Sequence, residues 1–384
     1  MPSSLPETVL QFGSGRFLRA FADLFIHQAN QQGQKVGRVV IVQSTAGDRA
    51  GALASASGKY HVVLRGIQNG QVVDQVEPCE SVSRALAAQT QWPQVLELAR
   101  SPHLATVLSN TTEAGYETFP DEKPDDAIPR SFPAKLLAVL RARHAAGLKP
   151  LRIIPCELRE GNAALLRNIV VELARKFGDS VSLIEYIQNQ CAWHETLVDR
   201  IVTGTPAEHP LLASDPLLTV CEPYALFAIH RAQQEQPGKE FIQNPAIIWT
   251  DDVLPYFLRK VRILNGGHTA LLLRAWPRGF RQVGDAVKDP ENRAWLEQLL
   301  FTEIVPVLEG RCDDPAGFAR AVLDRFANPF LQHKLADIAL HHASKVQVRL
   351  LPTLAEYELK FGKKPPLLSA LLADGGALPS GLTA

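Results

Sequence analysis

The feature that most constrains this fold is a change of hydrophobic period part-way along the chain. Up to about residue 250, short β-branched and aromatic runs alternate with stretches whose apolar residues recur at helical spacing. Thr8 to Phe12, Val39 to Val42, Tyr60 to Leu64, Ala105 to Leu108, Leu151 to Ile154 and Val181 to Ile184 read as strands, and residues 134–145 and 160–177 as helices. Strands that alternate with helices build a parallel, doubly wound sheet covered on both faces. Beyond residue 251 the β-branched runs stop, and Leu- and Ala-rich helices are predicted over 254–275, 291–308, 314–326 and 330–343. The expected division is therefore an α/β domain over 1–250 and a mainly α-helical domain over 251–384. The stretch 205–245, with Pro206, Pro210, Pro216, Pro223, Pro237 and Pro245, reads as an irregular connection. The Gly- and Ala-rich tail from Asp374 reads as frayed.

Composition removes several classes of function. Lys and Arg total 40 and Asp and Glu total 40, a formal net charge of zero, which argues against a nucleic-acid partner. Every apolar run is interrupted well short of the ~18–20 residues that cross a bilayer, so no membrane partner is expected. Met1 to Glu7 lacks a basic leader, which makes the cytoplasm the expected location. The five cysteines are widely spaced and form no C-x-x-C, so neither a disulfide framework nor a metal site is indicated. Without a long apolar surface pattern, a monomer is expected.

Between the first strand and the following helical pattern lies Gly13-Ser14-Gly15. Such a turn lets backbone N–H groups and a helix N-terminus approach a pyrophosphate, so it marks a Rossmann-type dinucleotide site. Leu18 stands where a third glycine belongs, and no acidic residue directly follows the second strand; Asp48 comes later. A plain tight turn is the alternative reading. No arginine directly follows Val42 to meet a 2′-phosphate, which favours NAD over NADP.

The densest chemical cluster is Lys260-Val-Arg-Ile-Leu-Asn265-Gly-Gly-His268-Thr269. On an α-helix with Lys260 at 0°, His268 falls at about 80° and Asn265 at about 140°, one shared arc. A lysine can serve as general acid/base when desolvation lowers its pKa, and Asn and His donors can hold a developing alkoxide. Gly266 and Gly267 each cost a helix roughly 1 kcal/mol relative to Ala, so packing or a ligand must call for bare backbone there. A solvated helix face with a capped end is the competing reading. His341 and His342, being adjacent, point to different helix faces, which argues against a metal pair.

The Lys-x4-Asn-x2-His spacing resembles the signature of the mannitol dehydrogenase family of polyol-specific long-chain dehydrogenases. Gln11 to Ala20, Ser109 to Gly115, Phe132 to Lys135, Ile154 to Leu158, Thr196 to Gly204, and Arg325 to Pro329 with His333 and Lys345 extend the likeness over about residues 8 to 352. The resemblance implies NAD as cofactor, no metal, and a small-molecule sugar substrate. It implies Lys260 as general acid/base, with Asn265 and His268 polarising the carbonyl. It also implies Gly13, Gly15, Phe17 and Arg19 at the cofactor, with Asn110 and Thr111 beside the nicotinamide.

Departures from the pattern point to the family's sugar-acid branch. Neutral-polyol members carry Cys-Asp-Asn where this chain has Cys156-Glu157-Leu158, so one oxyanion-binding amide is missing. The branch reaction interconverts tagaturonate and altronate, and its carboxylate needs a cation. Arg325, Lys334, Lys345 and Arg349 all lie in the helical half; Arg325, with Lys345, is the expected substrate contact. Ala163 stands where the family has Gly after Asn162, and family members commonly continue past the helix that begins near Pro365, which puts full activity in question. The alternatives are reduction of fructuronate, oxidation of a neutral polyol such as mannitol or arabinitol, and a non-catalytic dinucleotide-binding protein.

Overall fold

A computed structural model describes residues 5–68, 71–206, 208–232, 238, 240–330 and 333–382. Its strands, in chain order, are β1 (Glu7–Phe12), β2 (Arg38–Gln43), β3 (Tyr60–Gln68), β4 (Gln71–Cys79), β5 (Val82–Ala87) and β6 (Thr106–Ser109). They continue with β7 (Arg152–Pro155), β8 (Ala192–Trp193), β9 (Thr196–Asp199), β10 (Thr219–Cys221), β11 (Leu226–His230) and β12 (Ile247–Thr250). Six of them form one sheet in the order β5-β2-β1-β6-β7-β8, with parallel pairings throughout. The order reverses between β1 and β6, which makes the carboxyl ends of these two strands the switch point where such sheets bind ligands. Leu10 pairs in register with Val40 on one side and Val107 on the other. Together with Phe12, Val42 and Ile153 these side chains pack against Leu136, Leu140, Leu166 and Val170 of the helices Phe132–Ala145 and Asn162–Lys176. The strands are buried on both faces, and so their sequences read as unbroken apolar runs.

Two expectations about this part are corrected. Val181 to Ile184 is not a strand but the start of a helix, Val181–Glu185, because the Ser180 side chain accepts the Leu183 N–H and caps it. The sheet's last strand is the two-residue β8. The span 205–245 is also more than an irregular connection. It contains β10 and β11, and β11 lies between antiparallel β9 and parallel β12. The prolines punctuate these short strands rather than replace them; Pro237 lies outside the described residues.

By its internal contacts the chain divides into two units, Met1–Val63 with Gln75–Val253, and Leu64–Asp74 with Leu254–Ala384. The second unit thus takes in the end of the β3–β4 hairpin, where Arg65 pairs with Asp74 at 2.7 Å and the Arg65 carbonyl accepts from Asn328 Nδ2 at 3.2 Å. Its helices include Leu254–Arg259, Gly266–Ala275, Pro290–Leu299, Pro315–Phe326 and Leu351–Phe361. The predicted helix 330–343 is instead two, Leu335–Ala339 and His342–Arg349, divided at His341, whose φ of 55° is left-handed. Residues 331 and 332 of that span lie outside the described residues. Past Asp374 the backbone still makes contacts, with Gly376 O bonded to His342 Nε2 at 2.8 Å. Among the described residues no helix is long and apolar enough to cross a membrane.

Candidate active site

In the first unit the candidate residues gather at the switch point. Gly13 follows β1 with φ 127°, its N–H bonded to Val42 O at 3.2 Å, and a Cβ there would lie 2.8 Å from the Asn110 carbonyl oxygen. Only glycine meets both demands. Gly15 caps the helix Arg16–Arg19, and a Cβ on it would meet nothing within 4 Å. This bare, open backbone beside a helix start fits a pyrophosphate. Leu18, in the place of a third glycine, is buried, with Cδ1 3.5 Å from where the Gly13 Cβ would be. Phe17 is partly exposed and stacks on Phe21 at 4.9 Å. Arg19 is 3% exposed, donates to Leu217 O at 2.6 Å and lies over the Tyr60 ring. That guanidinium is committed to the interior of the unit, whereas Arg16 is the exposed arginine of the turn.

Asn110 and Thr111 leave β6 at the neighbouring strand end. The Asn110 N–H donates to Phe12 O at 2.9 Å. Thr111 gives both its N–H and its hydroxyl to Glu157 Oε1, at 2.8 and 2.9 Å. Glu157 also accepts from Ser109 Oγ at 2.9 Å and Tyr116 OH at 3.3 Å while only 2% exposed. Burial raises its pKa, and the bonds from the Thr111 N–H, its own backbone N–H and the Ser109 and Thr111 hydroxyls oppose that rise. The clamped loop carries Thr112 at φ 69° and ψ 172°, a region that L-residues avoid at a cost of about 1–3 kcal/mol. The sequence places the missing amide at Leu158 and assigns Glu157 no role; its hold on this loop depends on partners about forty positions upstream.

A second buried network supports β1 from beneath. Gln11 Nε2 donates to Gly13 O at 3.1 Å and to Asp23 Oδ2 at 3.3 Å, and Tyr60 OH donates to the same carboxylate oxygen at 3.3 Å. Burial raises the Asp23 pKa to about 7, despite these bonds and the nearby Arg19 charge.

In the second unit, Lys260 to Asn265 form a π turn between the helices Leu254–Arg259 and Gly266–Ala275. This corrects the uniform 100° wheel, since i→i+5 bonding puts more residues in each turn and shifts the angle between Lys260 and the residues after it. The two glycines admit close neighbours: a Cβ on Gly266 would lie 3.4 Å from Arg349 O, and one on Gly267 3.4 Å from Phe326 Cε2. His268 stacks on Phe326 at 4.0 Å and meets His333 edge-on at 4.7 Å. Its pKa is driven well below the usual imidazole value, first by burial and then by His333, Arg349, Arg325 and Lys260. His333 is lowered to about 4, by burial first and then by Lys345. The cations expected near the substrate are thus brought around His268 and His333.

Asn265 Nδ2 and His268 Nε2 are buried without a hydrogen-bond partner. Buried polar atoms of this kind call for an explanation, and a ligand oxygen supplies one. Arg325 is buried in the last turn of its helix, next to Phe326. Lys345 Nζ donates to Ile338 O at 2.9 Å. Of the adjacent histidines, His341 is exposed, whereas His342 is buried against Gly376 O. Among the described residues no group of three or more His, Cys, Asp and Glu side chains is arranged to hold a metal.

A switch-point sheet with a glycine turn, joined in one chain to a helical unit with orphaned donors around a lysine, is the architecture of a two-domain oxidoreductase. The family model for the mannitol dehydrogenase Rossmann domain matches residues 7–241, and that for the mannitol dehydrogenase C-terminal domain matches residues 252–377. The altronate oxidoreductase of Halalkalibacterium halodurans is 38% identical over 385 residues, covering 97% of this chain and 75% of that relative. The altronate oxidoreductase of Cronobacter sakazakii is 36% identical over 380 residues, 96% of this chain and 79% of its own. Pseudomonas fluorescens mannitol 2-dehydrogenase, solved as a ternary complex with NAD and D-mannitol, shares the fold with a TM-score of 0.80 at 21% identity, over 97% of this chain and 79% of its own. A substrate-free D-sorbitol dehydrogenase does so with 0.83 at 21% identity, over 97% and 80%. The chain belongs to the mannitol dehydrogenase family and is an oxidoreductase.

Proposed function

We propose that this enzyme uses NADH to reduce a keto-sugar acid, tagaturonate, to the hydroxy acid altronate, and catalyses the reverse reaction with NAD. The observation that carries the reading is the pair of buried, unpartnered donors, Asn265 Nδ2 and His268 Nε2, on one short segment among cations. The altronate oxidoreductases at 36–38% identity supply the substrate class, and a cationic neighbourhood suits an anionic substrate.

The residues of the first unit fit NAD. Gly13 and Gly15 would give the pyrophosphate its close backbone approach, with Phe17, Asn110 and Thr111 around the cofactor. When bound, NADH supplies the hydride. Lys260 gives a proton to the carbonyl oxygen during reduction and takes it back from the hydroxyl during oxidation. Asn265 and His268 donate hydrogen bonds to that oxygen as charge develops on it; a neutral imidazole has one N–H for this purpose. The substrate's carboxylate falls to the cations of the second unit, among them Arg325, Lys345 and Arg349.

NADH oxidation followed at 340 nm with tagaturonate, fructuronate and fructose, for wild type and Lys260→Ala, tests the reading. Turnover on tagaturonate that drops by roughly 10²- to 10⁴-fold in the variant is expected for the loss of a general acid. Turnover on fructose alone would move the enzyme to neutral polyols. NADH binding without turnover on any of the three would leave only a dinucleotide-binding protein.

A further inference from the structure

We propose that Gln11 is a positioning residue for the cofactor: backed by Asp23, its side chain holds the Gly13 carbonyl so that the Ser14 N–H is aimed at the pyrophosphate. The inference rests on the glycine turn as the NAD site and names the side chains that set the turn's hydrogen-bonding direction.

Gln11 lies in β1 between two core residues, Leu10 and Phe12, and is itself fully buried. Strand alternation turns it to the opposite face of the sheet, where it meets Asp23 of the helix Ala22–Gln31. Its Nε2 carries two N–H groups, one given to Gly13 O at 3.1 Å and one to Asp23 Oδ2 at 3.3 Å. Both partners are acceptors, so the amide has one favourable orientation; turned over, its Oε1 would face two oxygens. In the favourable orientation Oε1 is left buried without a partner. Such a group calls for an explanation, since a Met of similar length would fill the place without stranding an oxygen. What Met lacks is the N–H for Gly13 O. Asp23 is fixed in turn, its Oδ2 by Tyr60 OH at 3.3 Å and its backbone carbonyl by Ser81 Oγ at 2.7 Å. A carboxyl group protonated on the unpartnered Oδ1 still offers Oδ2 to Gln11, so the amide is held in either protonation state.

The consequence falls on the turn. With its N–H on Val42 O and its carbonyl on Gln11, Gly13 is held on both sides. A trans peptide sends its C=O and N–H in opposite directions, so the Ser14 N–H points away from the buried network. Among the described residues no group accepts a hydrogen bond from it. The next residue, Gly15, has open space where a Cβ would be. An unengaged N–H beside open backbone is the donor that a pyrophosphate oxygen takes. Without Gln11, the freedom of a glycine lets this peptide rotate and turn its carbonyl toward the phosphates, which repel it.

The test measures NADH and ADP-ribose binding by titration calorimetry, together with melting midpoints and steady-state kinetics, for wild type, Gln11→Met, Asp23→Leu and Asp23→Asn. ADP-ribose carries the pyrophosphate without the nicotinamide. Gln11→Met is expected to lose roughly 10-fold in affinity for both, the loss of about one well-made hydrogen bond. KM for NADH should rise to match, while kcat at saturating NADH and KM for the sugar acid hold. Asp23→Leu should lose part of the same affinity, and Asp23→Asn, whose Oδ1 can still accept from Gln11, should restore most of what Asp23→Leu loses. Unchanged affinity for NADH and ADP-ribose in Gln11→Met would overturn the proposal. So would a fall in kcat and in melting midpoint that tracks the loss of affinity, the mark of a structural role. Should Gln11→Met fail to fold, the Asp23 pair decides: equal NADH affinity in Asp23→Leu and Asp23→Asn overturns the proposal, and rescue by Asp23→Asn upholds it. A wild-type protein that binds neither NADH nor ADP-ribose would instead overturn the cofactor site beneath it.

Discussion

His268 lies face to face on Phe326, with ring centroids 4.0 Å apart and planes 25° from parallel. A buried ring stacked on an aromatic among four cationic or basic groups is held neutral, which under the proposed function leaves His268 a hydrogen-bonding role rather than that of a proton reservoir. Its folded pKa is depressed, so no imidazole transition near pH 6.5 should appear in kcat/KM on its account. Profiles of wild type and His268→Asn are expected to share the same acid limb, with the variant lower throughout. A wild-type limb near pH 6.5 that vanished in the variant would contradict this.

Gly13 and Gly15 should answer differently to alanine. At Gly13 a Cβ meets Asn110 O at 2.8 Å and the φ of 127° is hostile to any side chain, so Gly13→Ala should lower the unfolding midpoint as well as NADH affinity. At Gly15 there is open space, and Gly15→Ala should leave the midpoint within about 0.5 kcal/mol of wild type while weakening NADH. Thermal melts with and without NADH separate the two. A Gly15→Ala protein with wild-type NADH affinity would remove the turn from the cofactor site.

Glu157 holds Ser109, Thr111 and Tyr116 through one buried carboxylate. Replacing it with Ala strands these donors and should cost about 2–4 kcal/mol. The strained Thr112 loop should also relax. Hydrogen exchange over residues 109–116 is the direct measurement, and faster exchange confined to that loop is expected. Unchanged protection there would mean that the loop is held by other contacts.

Asp23 links stability to pH. Its folded pKa, about 7, lies above the ordinary value of 3.8, so the folded state holds the proton more tightly. The stabilising effect is complete below pH 4 and is lost as pH rises through 7, on the order of a few kcal/mol. Asp23→Asn should therefore gain stability relative to wild type as pH rises from 4 to 7.5. If the difference between the two unfolding midpoints stayed flat across that range, Asp23 would not be the group responsible.

Local sequence went far in this protein because much of its fold is written in periods set by near neighbours. The apolar runs of β1, β2, β6 and β7 are legible because these strands are buried on both faces, and the helical half is legible from its 3.6-residue spacing. The glycine turn, the Lys260, Asn265 and His268 cluster, and the need for bare backbone at Gly266 and Gly267 could likewise be read without a structure. What only the tertiary structure decided concerns partners far apart in sequence. The Ser180 cap overrode the β-branched start of Val181 to Ile184, and the π turn changed the angle between Lys260 and His268. Arg19 was drawn inside by Leu217 O, Glu157 gained its loop, and Arg349 gained Thr269 across 80 positions. The physical reason is that period and propensity act between adjacent turns of the chain, whereas the burial and pairing of a charge depend on which distant segment packs beside it.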